Sequence, residues 1–191
     1  MHDLVIIGGG PAGVAAGIYA ARKKIKTALI TDLFGGQSLV SAEIQNWIGE
    51  KSISGFDLGK KLEEHLKAQE GIEIMEGERV VNVSLAKKDD SGALIFAVKT
   101  DSGKEFETKT ILVTTGSRYK RLGVPGEERF EGKGVAFCST CDAPIFKDLD
   151  VAVVGGGNSS LEAVHDLLPY AKKIILIHRG EALKGDPVSQ E

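Results

Sequence analysis

Leu4-Val-Ile-Ile-Gly8-Gly-Gly10-Pro-Ala-Gly13 decides the reading of this chain, because Val151-Ala-Val-Val-Gly155-Gly-Gly157-Asn-Ser-Ser160 repeats it. Each stretch is an apolar run of strand length, then a Gly-rich turn, then a helix-forming segment, which is the context a dinucleotide fingerprint requires. The offset that separates Gly8 from Gly155 also separates Thr31 from His178. The register is therefore kept over a whole βαβ unit, and the chain carries that unit twice.

In the first copy, residues 4–7 read as a buried parallel strand, 11–23 as an Ala-rich helix and 27–31 as the next strand. Gly8 permits a tight turn, Gly10 lets backbone approach a pyrophosphate, and Gly13 lets helix and strand pack closely. Pro11 and Ala12 open the helix, whose N-terminus can face the phosphates. Asp32 follows Gly13 by about twenty residues, the place where a carboxylate accepts hydrogen bonds from ribose hydroxyls. In the second copy Gly155 and Gly157 keep their places, Asn158 and Ser159 open the helix, and Ser160 replaces the third glycine, which is expected to space helix and strand slightly further apart. Arg179 occupies the position of Asp32, beside His178. A guanidinium suits a 2′-phosphate as a carboxylate suits free hydroxyls, so the first site reads as one for FAD and the second as one for NADPH. The competing reading of His178-Arg179 is a solvated strand end.

Between the copies, Phe34 to Gly55 reads as a long loop, the kind that is usually functional in a compact domain. A helix is expected at 56–69. Residues 72–75, 78–85, 93–100 and 104–107 then read as a strand followed by an antiparallel meander, with turns at Asp89-Asp90-Ser91-Gly92 and Asp101-Ser102-Gly103. Residues 111–115 are expected as a separate buried strand ending at Gly116. The chain loosens through Gly123, Pro125 and Gly126, and resumes with a strand at 151–154, a helix at 158–168 and a strand at 174–178. The expectation is an α/β fold of two Rossmann-like units: a first nucleotide-binding domain at 1–117 with an inserted antiparallel β-meander, and an incomplete second one at 118–191.

The chain's two cysteines form one Cys-x-x-Cys pair, Cys138-Ser-Thr-Cys141, between the repeats. A zinc site would need two further N or S ligands, and His165 and His178 lie outside the spacing of a finger, so no metal is expected. An inert thiol pair is the other rival. Redox exchange is favoured because Cys-x-x-Cys geometry lowers one thiol's pKa and keeps the resolving sulfur in reach. Asp142 is either a turn acid or a carboxyl placed for proton delivery. Two nucleotide cradles flanking a dithiol suggest a flavin taking hydride from a nicotinamide and passing electrons to a disulfide.

A chain of 191 residues with a formal charge of −3 and interspersed acids and bases has no basic stripe, so no nucleic-acid partner is expected. Its apolar runs are of strand length, which argues against a membrane span. Only three residues precede the first strand, too few for a secretory signal, and a cytoplasmic location is expected.

These motifs, with Gly35-Gly36-Gln37, Asn46-Trp47, Thr115-Gly116, Cys138-Ser-Thr-Cys141-Asp142 and His178-Arg179, resemble the low-molecular-weight thioredoxin reductase family and its relative, the flavoprotein component of alkyl hydroperoxide reductase. The resemblance covers essentially the whole chain. It implies that Gly35, Gly36, Gln37, Asn46, Thr115 and Gly116 join the first fingerprint around FAD. It further implies that Cys141 sits against the flavin, that Cys138 attacks the partner disulfide, and that Asp142 is the acid. The implied activity is NADPH-dependent reduction of thioredoxin or a thioredoxin-like protein by a homodimer that rotates its domains between half-reactions. The chain departs from the family at Gly180, where a second Arg is usual and Lys184 is the nearest remaining cation. It departs again at Pro144, where thioredoxin reductases usually carry an aromatic and the peroxide-reducing relatives do not. The Gly-Asp return to the FAD domain is missing from this sequence, from which a C-terminal truncation is expected. The alternatives are an NADH-linked flavoprotein that reduces a peroxiredoxin, and a nucleotide-binding chain without turnover.

Overall fold

The structure, a computed structural model, describes residues 1–41 and 43–190, and its chain divides into two units, Met1–Arg118 and Tyr119–Glu191. In the first unit, β1 (His2–Gly9) runs through the Gly-rich turn into α1 (Pro11–Arg22) and on to β2 (Thr27–Phe34), which pairs with β1 in parallel from Leu4↔Thr27 to Ile7↔Ile30. Small residues explain where α1 meets the sheet: Gly13, Val14, Gly17, Ala20 and Ala21 are its buried positions. The Lys-rich end stays in water, with Lys23 as C-cap. The long loop contains a 3-10 turn over Gly36–Val40 and is pinched by a bridge between Ile44 and Ile53.

α2 (Gly55–Lys67) starts at Ser54, whose hydroxyl accepts from the Asp57 N–H at 3.0 Å and donates to the Asp57 carboxylate at 2.6 Å, a reciprocal cap. Four strands follow: β3 (Ile72–Glu76), β4 (Val80–Lys88), β5 (Leu94–Thr100) and β6 (Glu105–Val113). All six strands form one mixed sheet in the order β3-β2-β1-β6-β5-β4. The sequence reading separated 104–107 from 111–115, but the structure joins them. β6 pairs antiparallel with β5 through Glu105–Thr108 and parallel with β1 through Thr108–Val113. The apparent break, Lys109-Thr110, is polar because both side chains reach Asp3, Lys109 Nζ at its carboxylate (2.7 Å) and the Thr110 hydroxyl at its carbonyl (2.5 Å). The end of β6 is also more open than expected, with Leu112 and Val113 exposed.

Two apolar layers hold this unit. Ile6, Leu29 and Phe34 pack with Val14 of α1 and Leu66 of α2 on one face. On the other, Val5, Ile7, Ala28 and Ile30 pack against Val98 of β5, so the meander bends back over the parallel strands and shields them. Each of the Val, Leu, Ile and Phe side chains removed from water here contributes about 1.5–3 kcal/mol. Glu78 pins the fold-back: it is buried, it pairs with Lys104 at 2.8 Å, and it accepts from the Ser102 hydroxyl at 2.6 Å. Those partners, Lys104 foremost, hold its carboxyl down to about 2.

The second unit begins with α3 (Glu127–Phe130), where the buried Glu127 carboxylate accepts from the N–H groups of Leu122 (2.9 Å) and Gly123 (2.8 Å). These bonds, that of Leu122 first, lower the Glu127 pKa. Then come α4 (Ser139–Asp142), a 3-10 turn over Ala143–Phe146, β7 (Asp150–Val154), α5 (Asn158–Leu167) and β8 (Lys173–Ile177). β7 and β8 form a two-stranded parallel sheet from Asp150↔Lys173 to Val154↔Ile177. Its core is Ala143, Val153 and Leu167, and Val154, Ile175 and Ile177 remain about half exposed. The α/β class with an incomplete second Rossmann-like unit is borne out. No helix among the described residues is long and apolar enough to cross a membrane.

Candidate functional site

The first Gly-rich turn is assembled from three separate pieces of chain. Gly8 has φ +116°, and a Cβ there would lie 2.4 Å from the Thr114 carbonyl oxygen; a Cβ on Gly13 would lie 1.9 Å from the Gly8 carbonyl oxygen. Both positions must therefore be glycine for packing. Thr114 locks the turn, its hydroxyl donating to the carbonyls of Ile7 (2.9 Å) and Gly8 (3.1 Å). Gly10 differs. A Cβ there meets nothing nearer than Gly36 Cα at 3.9 Å, so the backbone is open on the side where the motif needs a phosphate to approach. The loop after β2 closes against it, with the Gly35 N–H donating to the Gly9 carbonyl at 3.0 Å. Pro11 and Ala12 stand at the start of α1, and Gln37 lies exposed in the 3-10 turn beyond Gly36.

Asp32 is half exposed near the end of β2, and one carboxylate oxygen accepts from Arg79 Nη2 at 2.6 Å. Asp32 also raises the Arg79 pKa through that hydrogen bond. Thr115 and Gly116 follow β6 and are exposed. Asn46 is exposed in the pinched loop, and no hydrogen bond among the described residues ties it to the Gly-rich turn.

In the second unit, Gly155 has φ +144°, and a Cβ there would lie 2.9 Å from Ser160 Cβ. The substitution that the sequence flagged thus keeps a close approach between turn and helix. Ser160 is buried, with its hydroxyl donating to the Gly157 carbonyl at 2.7 Å. A Cβ on Gly157 would meet nothing within 4 Å, which repeats the open position of Gly10. Asn158 Oδ1 accepts from the Asp186 N–H at 2.7 Å, and the Lys184 N–H donates to the Gly156 carbonyl at 2.6 Å, so the segment after β8 is tied to this turn. Ser159 and Arg179 are exposed; His178 is half-buried, its Nδ1 facing the Gly180 N–H at 3.2 Å.

Cys138 and Cys141 are joined as a disulfide with their Cα atoms 5.3 Å apart. Cys138 is the N-cap of α4, and the N–H groups of Cys141 (3.2 Å) and Asp142 (2.9 Å) both donate to its carbonyl. Asp142 is half-buried and Cys141 is the more exposed cysteine. The two residues between the cysteines are held from below, because Asp166 of α5 accepts from the Ser139 and Thr140 hydroxyls. Just before the pair, Phe137 stacks on Tyr119 at 5.6 Å and carries the Arg121 guanidinium 5.3 Å from its ring.

Sequence reasoning missed Thr114, Arg79 and Asp166. Thr114 lies in a stretch the sequence marks as a strand, but only the pairing of β6 on β1 brings its hydroxyl to Gly8. Arg79 and Asp166 had none, their partners being 47 and 27 residues away.

The chain is 41% identical over 189 residues to a protein named NADH dehydrogenase from Ferdinandcohnia aciditolerans. It is 42% identical over 190 residues to a subunit of the alkyl hydroperoxide reductase of Staphylococcus epidermidis. Those matches cover 99% and 100% of this chain but 35% and 36% of the relatives, so the chain spans about a third of the length of the curated relatives it matches. Among solved structures it is similar to thioredoxin reductase from Streptococcus pyogenes, with a TM-score of 0.80, 36% identity, and coverage of 100% of this chain and 60% of that one. The resemblance carried by the motifs is thereby borne out. With the profile of the pyridine nucleotide-disulphide oxidoreductases matching residues 2–191, the chain belongs to that family.

Proposed function

We propose that this chain works in a flavin-dependent disulfide reductase, in which the Cys138–Cys141 pair carries electrons to a thioredoxin-like protein. The observation that carries the reading is the Cys138–Cys141 disulfide, held in the same unit as the second Gly-rich turn. The residues fit the implied cofactors. Gly10 and Gly157 leave open the two positions that a side chain would fill, and each stands at the start of a helix of ten residues or more. The first turn, with Asp32 and Gly35-Gly36, would hold FAD; the second, with Asn158, Ser159 and Arg179, would hold NADPH. When bound, the nicotinamide and flavin supply the two electrons that open the disulfide.

The remaining chemistry belongs to the chain. Reduction of the Cys138–Cys141 bond takes up two electrons and two protons, and Asp142 would be the acid that delivers one of them. Cys138 as thiolate attacks a partner disulfide, forming a mixed disulfide and releasing one partner thiolate. Cys141 then attacks the Cys138 sulfur, releasing the second partner thiol and restoring the starting bond. The alternative acceptor is a peroxiredoxin with NADH as donor. It is favoured by the names of the curated relatives and by Gly180, where a second 2′-phosphate cation would stand.

The test is nicotinamide oxidation by the FAD-loaded chain with NADPH or NADH and with oxidised thioredoxin or peroxiredoxin as acceptor. Turnover that depends on the acceptor and on both cysteines is expected. Nicotinamide consumption unaffected by Cys138→Ser and Cys141→Ser would refute disulfide reduction.

A further inference from the structure

We propose that Asp166 is a positioning residue for the Cys138–Cys141 pair: one carboxylate oxygen, Oδ2, takes the hydroxyls of both intervening residues, Ser139 Oγ at 2.7 Å and Thr140 Oγ1 at 3.1 Å. This rests on the reading of the pair as redox-active. Four residues of helix do not hold themselves in water, because nucleation fixes several dihedral angles for a single hydrogen bond. Ser and Thr are also weak helix formers whose hydroxyls compete for backbone groups. α4 must therefore be ordered from outside, and α5 supplies two anchors. Leu167 packs with the buried Ala143 beyond α4, and the neighbouring Asp166 binds the two hydroxyls inside it. Asp166 is half-buried on the last turn of α5, whose other end opens at the second Gly-rich turn. One helix thus fixes both the candidate nicotinamide site and the dithiol.

The anchor has an electrostatic consequence. Each cysteine is adjacent in sequence to a hydroxyl that is bonded to the same anionic oxygen. A nearby negative charge disfavours a thiolate, so it destabilises the reduced, partly ionised pair relative to the disulfide. Reduced pairs stabilised as thiolate belong to strong oxidants. Asp166 acts in the opposite sense and keeps this pair on the electron-donating side. Ordering the turn also raises the effective concentration of one thiol for the other, which favours ring closure as well. Charge and order push the same way, and substitution separates them.

The 191-residue chain is equilibrated in glutathione redox buffers, and the reduced protein is alkylated with iodoacetamide as a function of pH. Asp166→Ala should lower the equilibrium constant for closing the disulfide about tenfold, the low end of what losing a hydrogen bond to a charged acceptor costs. Tenfold corresponds to a potential about 30 mV more oxidising. Asp166→Asn keeps an accepting oxygen and loses only the charge. It should recover most of the equilibrium constant, while its alkylation profile moves to lower pH as in Asp166→Ala. Ser139→Ala/Thr140→Val should resemble Asp166→Ala in the equilibrium constant, and combining all three changes should cost less than a further twofold. Equilibrium constants and pH profiles within twofold of wild type in Asp166→Asn and Asp166→Ala would overturn the inference, as would multiplicative effects in the combined variant. A wild-type pair that does not exchange with glutathione would overturn the redox reading itself, and this inference with it.

Discussion

Gly10 and Gly13 stand three residues apart in one motif, yet replacing each with alanine should have opposite consequences. At Gly13 the new methyl would lie 1.9 Å from the Gly8 carbonyl oxygen and 2.8 Å from the Thr114 hydroxyl oxygen. Neither neighbour can swing away, because Gly8 is backbone and Thr114 is bonded to the carbonyls of Ile7 and Gly8. Ala gains about 1 kcal/mol over Gly in a helix interior. Overpacking costs about 1–3 kcal/mol, and a rigid backbone contact belongs at or beyond the upper end. The net loss is about 2 kcal/mol, which for a unit of this size lowers Tm by roughly 10 °C. At Gly10 the methyl meets nothing within 3.9 Å, and φ is −73°, which any residue adopts. The weaker N-cap costs several tenths of a kcal/mol, and the stiffer unfolded chain returns about as much, so stability should stay within about 0.5 kcal/mol of wild type. Gly10→Ala should instead weaken FAD binding at least tenfold, by filling the space that the pyrophosphate must enter. Urea denaturation of the ligand-free chain and titration of flavin fluorescence measure the two effects separately. If Gly10→Ala lowers stability as much as Gly13→Ala, or binds FAD like wild type, the division of roles between packing glycine and phosphate-approach glycine is wrong.

Mixed-disulfide trapping assigns the thiols: Cys141→Ser should accumulate a covalent adduct with oxidised partner through Cys138, and Cys138→Ser should not, the reverse pattern making the more exposed Cys141 the exchanging residue. Arg179→Ala should raise KM for NADPH by an amount equivalent to about 1.5–3 kcal/mol while leaving that for NADH little changed, because only the 2′-phosphate loses a charge-assisted bond; equal effects on both nucleotides would remove Arg179 from phosphate recognition. The Glu78 carboxyl is held down to about 2, chiefly by Lys104, against an ordinary value of 4.5. Its stabilisation is complete above pH 4.5 and lost as the pH falls toward 2, so acid denaturation should steepen in that window and Glu78→Gln should remove the steepening. The half-exposed strands β7 and β8, with Val154, Ile175 and Ile177 open to water, should exchange amide hydrogens faster than β1 and β2, which are flanked on both sides; equal protection would contradict the two-stranded sheet.

Local requirements made the two Gly-rich βαβ units legible in the sequence. A positive φ at Gly8 and Gly155, an apolar strand before and small residues in the helix after are demands met within about thirty residues, so they leave a pattern that can be read along the chain. The Cys-x-x-Cys pair was legible for the same reason, since its chemistry depends on residues three apart. What tertiary structure alone decided lies in contacts between segments that share no local pattern. Lys109-Thr110 looks like a break until Asp3 is placed beside it, and Val98 looks like any meander residue until the sheet bends it onto Ile7 and Ile30. Asp32 was identified as a carboxylate at a strand end, but the guanidinium that occupies one of its oxygens comes from the turn after β3. Asp166 reads as one more acid on an amphipathic helix; only the packing of α5 against α4 brings it to the two hydroxyls between the cysteines. Strand register and helix packing fix such pairs through geometry summed over many residues, and no single residue type announces its distant partner.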